Sequence, residues 1–274
     1  MFLSGEAFQT LCHVTWTCDY KMKFHTSLSG VKVRYLHEIE YADEGTILFV
    51  YTDLLCYFIE TVLPYRTKPF VMVTHNSDES ITEMYIPLLE HPLLLHLFSQ
   101  NTHIRHPKLT ALPIGIANQM WPHGNVSHFK QILQSHFPKK KRVYANVNPD
   151  TNPTHRSYVM NCIQKYDFVD VLPLKDHMSY LQEMSMYQWV VSPKGNGVDC
   201  HRLWECLYAK CIPLVDDTEN TRAFKEMGFP LILIQDLNEL TMDLLLSETS
   251  TLETNVYSPK LDLLYWKQLF HSKC

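Results

Sequence analysis

The stretch Trp189 to Asp217, WVVSPKGNGVDCHRLWECLYAKCIPLVDD, constrains this chain more than any other, because its periodicity changes three times in succession. Trp189-Val190-Val191 is a short apolar run arriving at turn formers, the pattern of a buried strand. Ser192-Pro193-Lys194-Gly195-Asn196-Gly197 interrupts it, and its two glycines admit backbone geometry that other residues resist. The spacing then becomes helical. Cys200, Leu203, Trp204, Leu207 and Cys211 share one face, and Asp199, Arg202 and Glu205 share another. Cys211 to Val215 is a second apolar strand, ended by Asp216-Asp217. Strand, glycine loop, helix and strand make one βαβ unit, so the segment predicts an α/β fold with a parallel sheet.

The same segment carries chemistry. A loop feeding a helix start presents backbone N–H groups and the positive end of the helix dipole, which suits a phosphate. Ser192, Lys194, Gly195, Asn196 and Gly197 line that loop, and Arg202 adds charge one turn into the helix. Asp199 and Glu205 would stand about 9 Å apart along the axis. A nucleotide spans that distance with its diphosphate at the loop and its ribose hydroxyls at Glu205. An ordinary βα turn with a solvated charged face is the competing reading.

The pattern S-P-K-G-N-G-x-D-x-H-R-x-W-E-x-L, followed by I-P, resembles the signature of exostosin-like glycosyltransferases, in particular soluble members from large algal DNA viruses. Ala111 to Asn125, ALPIGIANQMWPHGN, resembles the family's first-domain segment. The resemblance implies a GT-B fold: two Rossmann-like domains with parallel sheets facing a cleft, and a C-terminal helix returning to the first domain. It places Arg202 on the diphosphate and Glu205 on the ribose of a nucleotide sugar, with a UDP-sugar favoured. It also implies inverting transfer, with xylose as the sugar and a viral glycan as acceptor. Lys194 stands where arginine would also be expected, which weakens any expectation of bidentate phosphate contact.

Composition narrows the partners. A chain of 274 residues is long enough for two modest domains, and a formal charge of −5 argues against a nucleic-acid binder. The short run Lys139-Lys140-Lys141-Arg142 reads as a solvated linker. No charged-then-apolar segment opens the sequence and no apolar run reaches roughly eighteen residues, so a cytoplasmic chain without a transmembrane segment is expected. The eight cysteines lack C-x-x-C spacing and sit at core-like positions, which predicts free thiols. Fifteen histidines show no H-E-x-x-H pattern, so no metal site is expected.

Elsewhere the strand–helix rhythm repeats. Phe8 to Val14 reads as a helix and Val31 to Leu36 as a strand. Thr46 to Tyr51 is a stronger strand, with Asp53 placed to cap a helix from Leu54 to Leu63. Phe70 to Val73 is the next strand, and it runs into His75, Asn76 and Asp78. Ligands of open α/β sheets bind at the carboxyl ends of strands, so Asp78 is the candidate general base and His75 its reserve. Capping competes: Asn76 with Glu79, and Ser80 with Glu83, have capping-box spacing. Glu90 to Ser99 reads as a leucine-rich helix. Leu109 to Pro113 is a strand leading into Asn118, Trp121 and His123, which either hold an acceptor sugar or form a loop anchored by Trp121. The domain boundary is expected between Phe129 and Lys141, giving domains 1–135 and 136–274. In the second domain Arg142 to Val147 and Phe168 to Leu172 read as strands. Arg156 to Lys165, Met178 to Met186, Thr221 to Met227 and Leu237 to Leu246 read as helices, as does Pro259 to Phe270. Arg156 sits in a first turn, where a cation opposes the helix dipole and hints at an outside anion; a plain surface arginine is the alternative.

Two functions are compatible with these residues. One is transfer of a sugar from a nucleotide-diphosphate donor to a glycan hydroxyl; the other is non-catalytic binding of nucleotide or glycan on the same fold. A P-loop kinase is excluded by the missing G-x-x-x-x-G-K-[ST]. No D-x-D motif is present to hold a metal at the donor, and Arg202 with the helix start can stabilise a leaving diphosphate instead. Sugar transfer is therefore expected to survive EDTA. Activity abolished by EDTA and restored by manganese contradicts this reading.

Overall fold

The computed structural model of the chain describes residues 1–16, 33 and 34, 44–252 and 258–274. The described residues divide into two compact units, Met1–Ile114 with Asp262–Cys274, and Gly115–Leu261. The division falls after Ile114, whereas the sequence reading sets it between Phe129 and Lys141. The residues separating these positions contain a helix, Val126–Gln134, that the sequence reading does not anticipate.

The first unit contains strands β1 (Val14–Trp16), β2 (Val33–Arg34), β3 (Thr46–Tyr51), β4 (Phe70–His75), β5 (Leu94–Ser99) and β6 (Leu109–Ala111). Its helices are α1 (Gly5–Thr10), α2 (Leu55–Thr61), α3 (Ile86–Leu89) and, from the far end of the sequence, α10 (Leu263–His271). The strands form one all-parallel sheet in the order β2-β1-β3-β4-β5-β6. Of the expected strand Val31 to Leu36, only Val33–Arg34 is among the described residues; Cys18 lies outside them.

The second unit contains β7 (Lys140–Ala145), β8 (Val169–Val171), β9 (Tyr187–Val191), β10 (Ile212–Asp216) and β11 (Ile232–Ile234). Its helices are α4 (Val126–Gln134), α5 (Pro153–Ile163), α6 (His177–Met184), α7 (His201–Tyr208), α8 (Glu219–Glu226) and α9 (Met242–Ser250). Its sheet is also all-parallel, in the order β8-β7-β9-β10-β11, which repeats the winding of the first. Both units are thus α/β, compatible with a two-domain Rossmann-like chain.

Parallel strands buried on both faces lose the polar alternation of half-exposed ones. Every residue of β3 and β4 is buried. On one face Leu48, Val50, Phe70 and Met72 join Leu55 and Phe58 of α2 and Leu88 and Leu89 of α3. In the second unit Val143, Ala145, Trp189, Val191, Ile212 and Leu214 pack with Val159 and Ile163 of α5.

This burial explains the largest misreading. Glu90 to Ser99 is not a helix: α3 ends at Leu89 and Leu94–Ser99 is β5, hydrogen-bonded between β4 and β6. A fully buried strand is a continuous apolar run, which periodicity cannot tell from a buried helix. Leu237 to Leu246 is likewise split, with a 3₁₀ turn at Leu237–Glu239 and α9 beginning only at Met242. Asp53 is exposed within a 3₁₀ turn, Thr52–Leu54, and neither this turn nor α2 has a side-chain cap. The two capping boxes after β4 do not form, because no helix begins there; the next turn starts at Glu83 without a side-chain cap. Phe8 to Val14 divides between the end of α1 and the start of β1. The seven described cysteines are free. Among the described residues no helix is long and apolar enough to cross a membrane.

The terminal helix α10 completes the first core. Trp266 and Phe270 are fully buried. Trp266 meets Phe8 of α1 edge-on at 5.8 Å, and Phe270 lies 4.5 Å from Phe98 of β5, ring centre to ring centre. The Met1 amino group donates to Asp262, which caps the helix through Leu264 N. Trp266→Ala is expected to lower stability by about 3–5 kcal/mol, the range for emptying a buried aromatic site, measured as a shift of the urea midpoint.

Candidate functional site

In a doubly wound sheet the crevice lies at the carboxyl ends of the strands where the winding reverses. In the second unit that point falls between β7 and β9. The chain leaves β9 into Ser192–Cys200 and enters α7, while Asn146 follows β7. The sequence motif therefore stands at the reversal.

The loop is pinned from α5. Arg156 Nε–H donates to the Lys194 carbonyl at 3.1 Å, and its two terminal nitrogens donate to Asn148 O at 3.1 Å and Pro193 O at 3.4 Å. Arg156 is buried, which disfavours its charge, and its donors serve the loop backbone. It is thus a clamp on the loop, neither a free anion contact nor a surface arginine. Asn152 does not cap α5 with its side chain; its amide donates to Gly195 O at 2.8 Å. Among the described residues the glycines with positive φ are Gly45, Gly115 and Gly228, so neither loop glycine adopts left-handed backbone. At Gly195 the reason is space, since a Cβ would lie 3.3 Å from the Arg156 guanidinium. Lys194 N–H donates to Asp216 Oδ2 at 2.7 Å, and His155 Nε2 lies 2.8 Å from Asp216 Oδ1. Ser192 is buried with its hydroxyl 3.3 Å from Cys200 Sγ, Gly197 is buried, and Asn196 is exposed.

Asp199 departs from its expected place. The helix begins at His201, so Asp199 precedes it and does not share a face with Arg202 and Glu205. Its carboxylate is buried and accepts the Trp204 indole N–H at 2.9 and 3.0 Å. Trp204 in turn meets Phe224 and Phe229 edge-on at 4.9 and 5.1 Å. The residue is a core acceptor that ties the loop's end to the helix.

Arg202 and Glu205 are brought together as expected. Arg202 donates to the Asn146 carbonyl, and its guanidinium lies 5.3 Å above the Tyr180 ring centre. Burial works against its charge, but Tyr180, Glu205 and other neighbours outweigh that and raise its pKa. Tyr180 O–H donates to Glu205 Oε2 at 2.9 Å. His177 Nε2 stands 3.6 Å from Glu205 Oε1, at ion-pair rather than hydrogen-bond distance. Burial pushes the Glu205 carboxyl up, yet His177, His201 and Arg202 together hold it below the ordinary range. The carboxylate is therefore ionised at neutral pH and offers acceptors to hydroxyl groups.

Around it lies a histidine cluster of which only His123 is singled out by the sequence. His123 is 6.4 Å from His177 and 6.0 Å from His201, ring centre to ring centre. His201 Nδ1 donates to the Gly115 carbonyl at 2.8 Å. Although His123 is exposed as a residue, desolvation lowers its ring's pKa; Glu205 opposes that, and His201 and His177 add to it. Trp121, 52% exposed, stacks on His123 at 6.4 Å, so it is not the buried anchor of its loop. Asn118 is half-buried, and its carbonyl accepts from Trp121 N at 2.9 Å. His177 and Tyr180 have i,i+3 spacing, which puts them on one face of α6. Nothing in the linear sequence shows that this face meets α7.

In the first unit the turn after β4 is held by Gln100, whose amide donates to Ser77 O at 3.0 Å, and by Asn101. His75 is buried; Nε2 meets Pro113 O at 3.0 Å, and Nδ1 accepts from Asn76 N at 2.7 Å. Nε2 therefore carries the proton, and the only basic lone pair of the neutral ring is occupied. Asp78 is exposed in the same turn.

Compared with known proteins, the chain matches no family model and no curated protein.

Trp204→Phe keeps the apolar volume but removes the indole donor to buried Asp199. A loss of about 1–3 kcal/mol is expected, read from denaturant midpoints. An unchanged midpoint would show that this bond does not hold the loop to α7.

Proposed function

We propose that the chain is a nucleotide-sugar-dependent glycosyltransferase of GT-B type that moves a sugar to a glycan hydroxyl without a metal ion. One observation carries the reading: a cation and an ionised carboxylate, Arg202 and Glu205, stand one helical turn apart where the second sheet's winding reverses. Arg202 would meet the diphosphate, whose negative charge grows as the sugar departs. Glu205 would accept hydroxyls of the ribose. The sequence pattern around them adds the resemblance to exostosin-like enzymes, which points to UDP-xylose as donor and to inversion. Asn118, Trp121 and His123 are the acceptor candidates, since an exposed indole face with neighbouring amides suits a pyranose. For the acceptor's proton the candidate is Asp78; His75 is disfavoured by its occupied Nδ1.

Non-catalytic binding is the second reading, favoured by Arg156 and the Lys194 amide being committed within the protein. Turnover separates the two. An enzyme releases free nucleotide diphosphate from donor slowly even without acceptor, and a binding module does not.

Thermal shifts with UDP, GDP and their sugars test the site. Ligand at a hundredfold its dissociation constant stabilises by about 2.7 kcal/mol. Glu205→Gln is expected to weaken donor binding about tenfold or more. Arg202→Lys keeps the charge and loses the guanidinium fork, and is expected to reduce kcat more than donor affinity. Wild-type kinetics and wild-type donor shifts in both variants would place the site elsewhere. Asp78→Asn is expected to cut transfer at least about a hundredfold while leaving the melting temperature and donor binding unchanged, because no helix begins at Asp78 for it to cap. Unimpaired transfer by Asp78→Asn rules that residue out as the base.

A further inference from the structure

The histidine cluster contains a chain of contacts whose proton positions are fixed from one end. Asn125 caps α4: its Oδ1 accepts from Ser127 N at 3.0 Å and from Ser127 Oγ at 2.7 Å. A backbone N–H is always a donor, so the amide oxygen must face Ser127 and the NH₂ must face the other way. That NH₂ meets His128 Nε2 at 3.1 Å. It can only donate, so His128 Nε2 carries no proton. Neutral His128 then has its hydrogen on Nδ1, which lies 3.1 Å from His177 Nδ1. A nitrogen–nitrogen contact needs one donor and one acceptor. His177 Nδ1 is the acceptor, and neutral His177 carries its hydrogen on Nε2.

The far end gives the same answer independently. His177 Nε2 is buried and has no hydrogen-bond partner among the described residues; what it faces is Glu205 Oε1 at 3.6 Å. The His177 side chain is only 10% exposed and that of Glu205 only 7%. A bare lone pair opposite a buried carboxylate is repulsive, whereas an N–H there is attractive. The groups facing His177 are His123 and His128 from before and within α4, Glu205 from α7, and Tyr180 from its own helix.

We propose that Asn125, His128 and His177 form a tautomer relay that presents an N–H to Glu205, which makes His177 a positioning residue for that carboxylate. With Tyr180 O–H on Oε2 and the His177 N–H beside Oε1, the carboxylate is held charged and fixed in orientation, as buried metal ligands are by their outer hydrogen bonds. The relay links an exposed helix cap to a buried binding residue across three helices. Its functional consequence rests on the reading that Glu205 binds nucleotide, but its proton positions do not.

Nitrogen-15 NMR of the full chain, labelled at histidine, reads ring tautomers directly at neutral pH. The expected pattern is His128 protonated on Nδ1 and His177 on Nε2. Asn125→Asp keeps an equally good helix cap but turns the donor facing His128 into an acceptor. His128 then takes a hydrogen on Nε2, and with His128 neutral its Nδ1 becomes the acceptor, so that His177 is protonated at Nδ1. UDP affinity is expected to fall about tenfold, because a bare Nε2 lone pair then faces the carboxylate that the N–H had held in place, and the melting temperature is expected to fall with it. Wild-type His128 protonated on Nε2 alone, or His177 signals unchanged in Asn125→Asp at a pH where the His128 signals show a neutral ring, would overturn the relay. Moved tautomers with unchanged UDP affinity would overturn the positioning role. If the wild-type chain binds no UDP, the nucleotide reading fails while the tautomers still decide the relay.

Discussion

The arrangement of the second unit depends on one buried charge. A carboxylate withdrawn from water costs several kcal/mol unless hydrogen bonds and opposite charge replace the solvent. Glu205 is buried in α7, so α6 and the start of α7 itself must supply the replacement. Tyr180 donates to it, His177 faces it, and Arg202 packs over the same tyrosine ring. These requirements fix how α6 lies against α7. Arg202 then reaches the carbonyl at the end of β7, and the glycine loop is held on its other side by Arg156. The two helices and the end of β7 are tied together around one carboxylate solvated without water, while the loop beside them is held by Arg156 and Asp216.

The sequence was most informative where local signals are strong. Trp189 to Val215 shows its strand, breaker, helix and strand because each obeys a different periodicity; the strand boundaries fall within two residues, while the helix ends at Tyr208, three residues short of Cys211. Arg202 and Glu205 were legible as partners because three-residue spacing on a helix puts them side by side. Leu94–Ser99 was not legible, because a strand between two others has no solvent face to create alternation. Asp199 lies two residues before the helix, because Cys200 is extended and the helix starts at His201. Arg156 shows a different limit. Its position in a first turn was correct, but its role is decided by carbonyls more than thirty residues away in sequence.

The histidines were the least legible part. His123, His177 and His201 come from three segments, and no spacing rule relates them. His123 was singled out with Asn118 and Trp121 but not as part of a cluster, and His128 carried a local clue in standing three residues after the asparagine that caps its helix. What makes the cluster meaningful is the direction of individual N–H bonds, which depends on an amide fixed by a backbone group. Proton placement of this kind lies beyond hydrophobic pattern and beyond motif.

The discontinuity of the first unit bears on how the chain is made. Phe8 and Phe98 precede the second unit in sequence, whereas Trp266 and Phe270, which cover them, follow it. Domains generally fold as units in the order of synthesis. Here the ribosome delivers all of Gly115–Leu261 before the first core can close. The unit that begins first is completed only after the second, and its apolar rings await their cover through the synthesis of the intervening sheet. Emergence of Trp266 and Phe270 from the exit tunnel, rather than emergence of the first hundred or so residues, sets the earliest moment at which that core can exist.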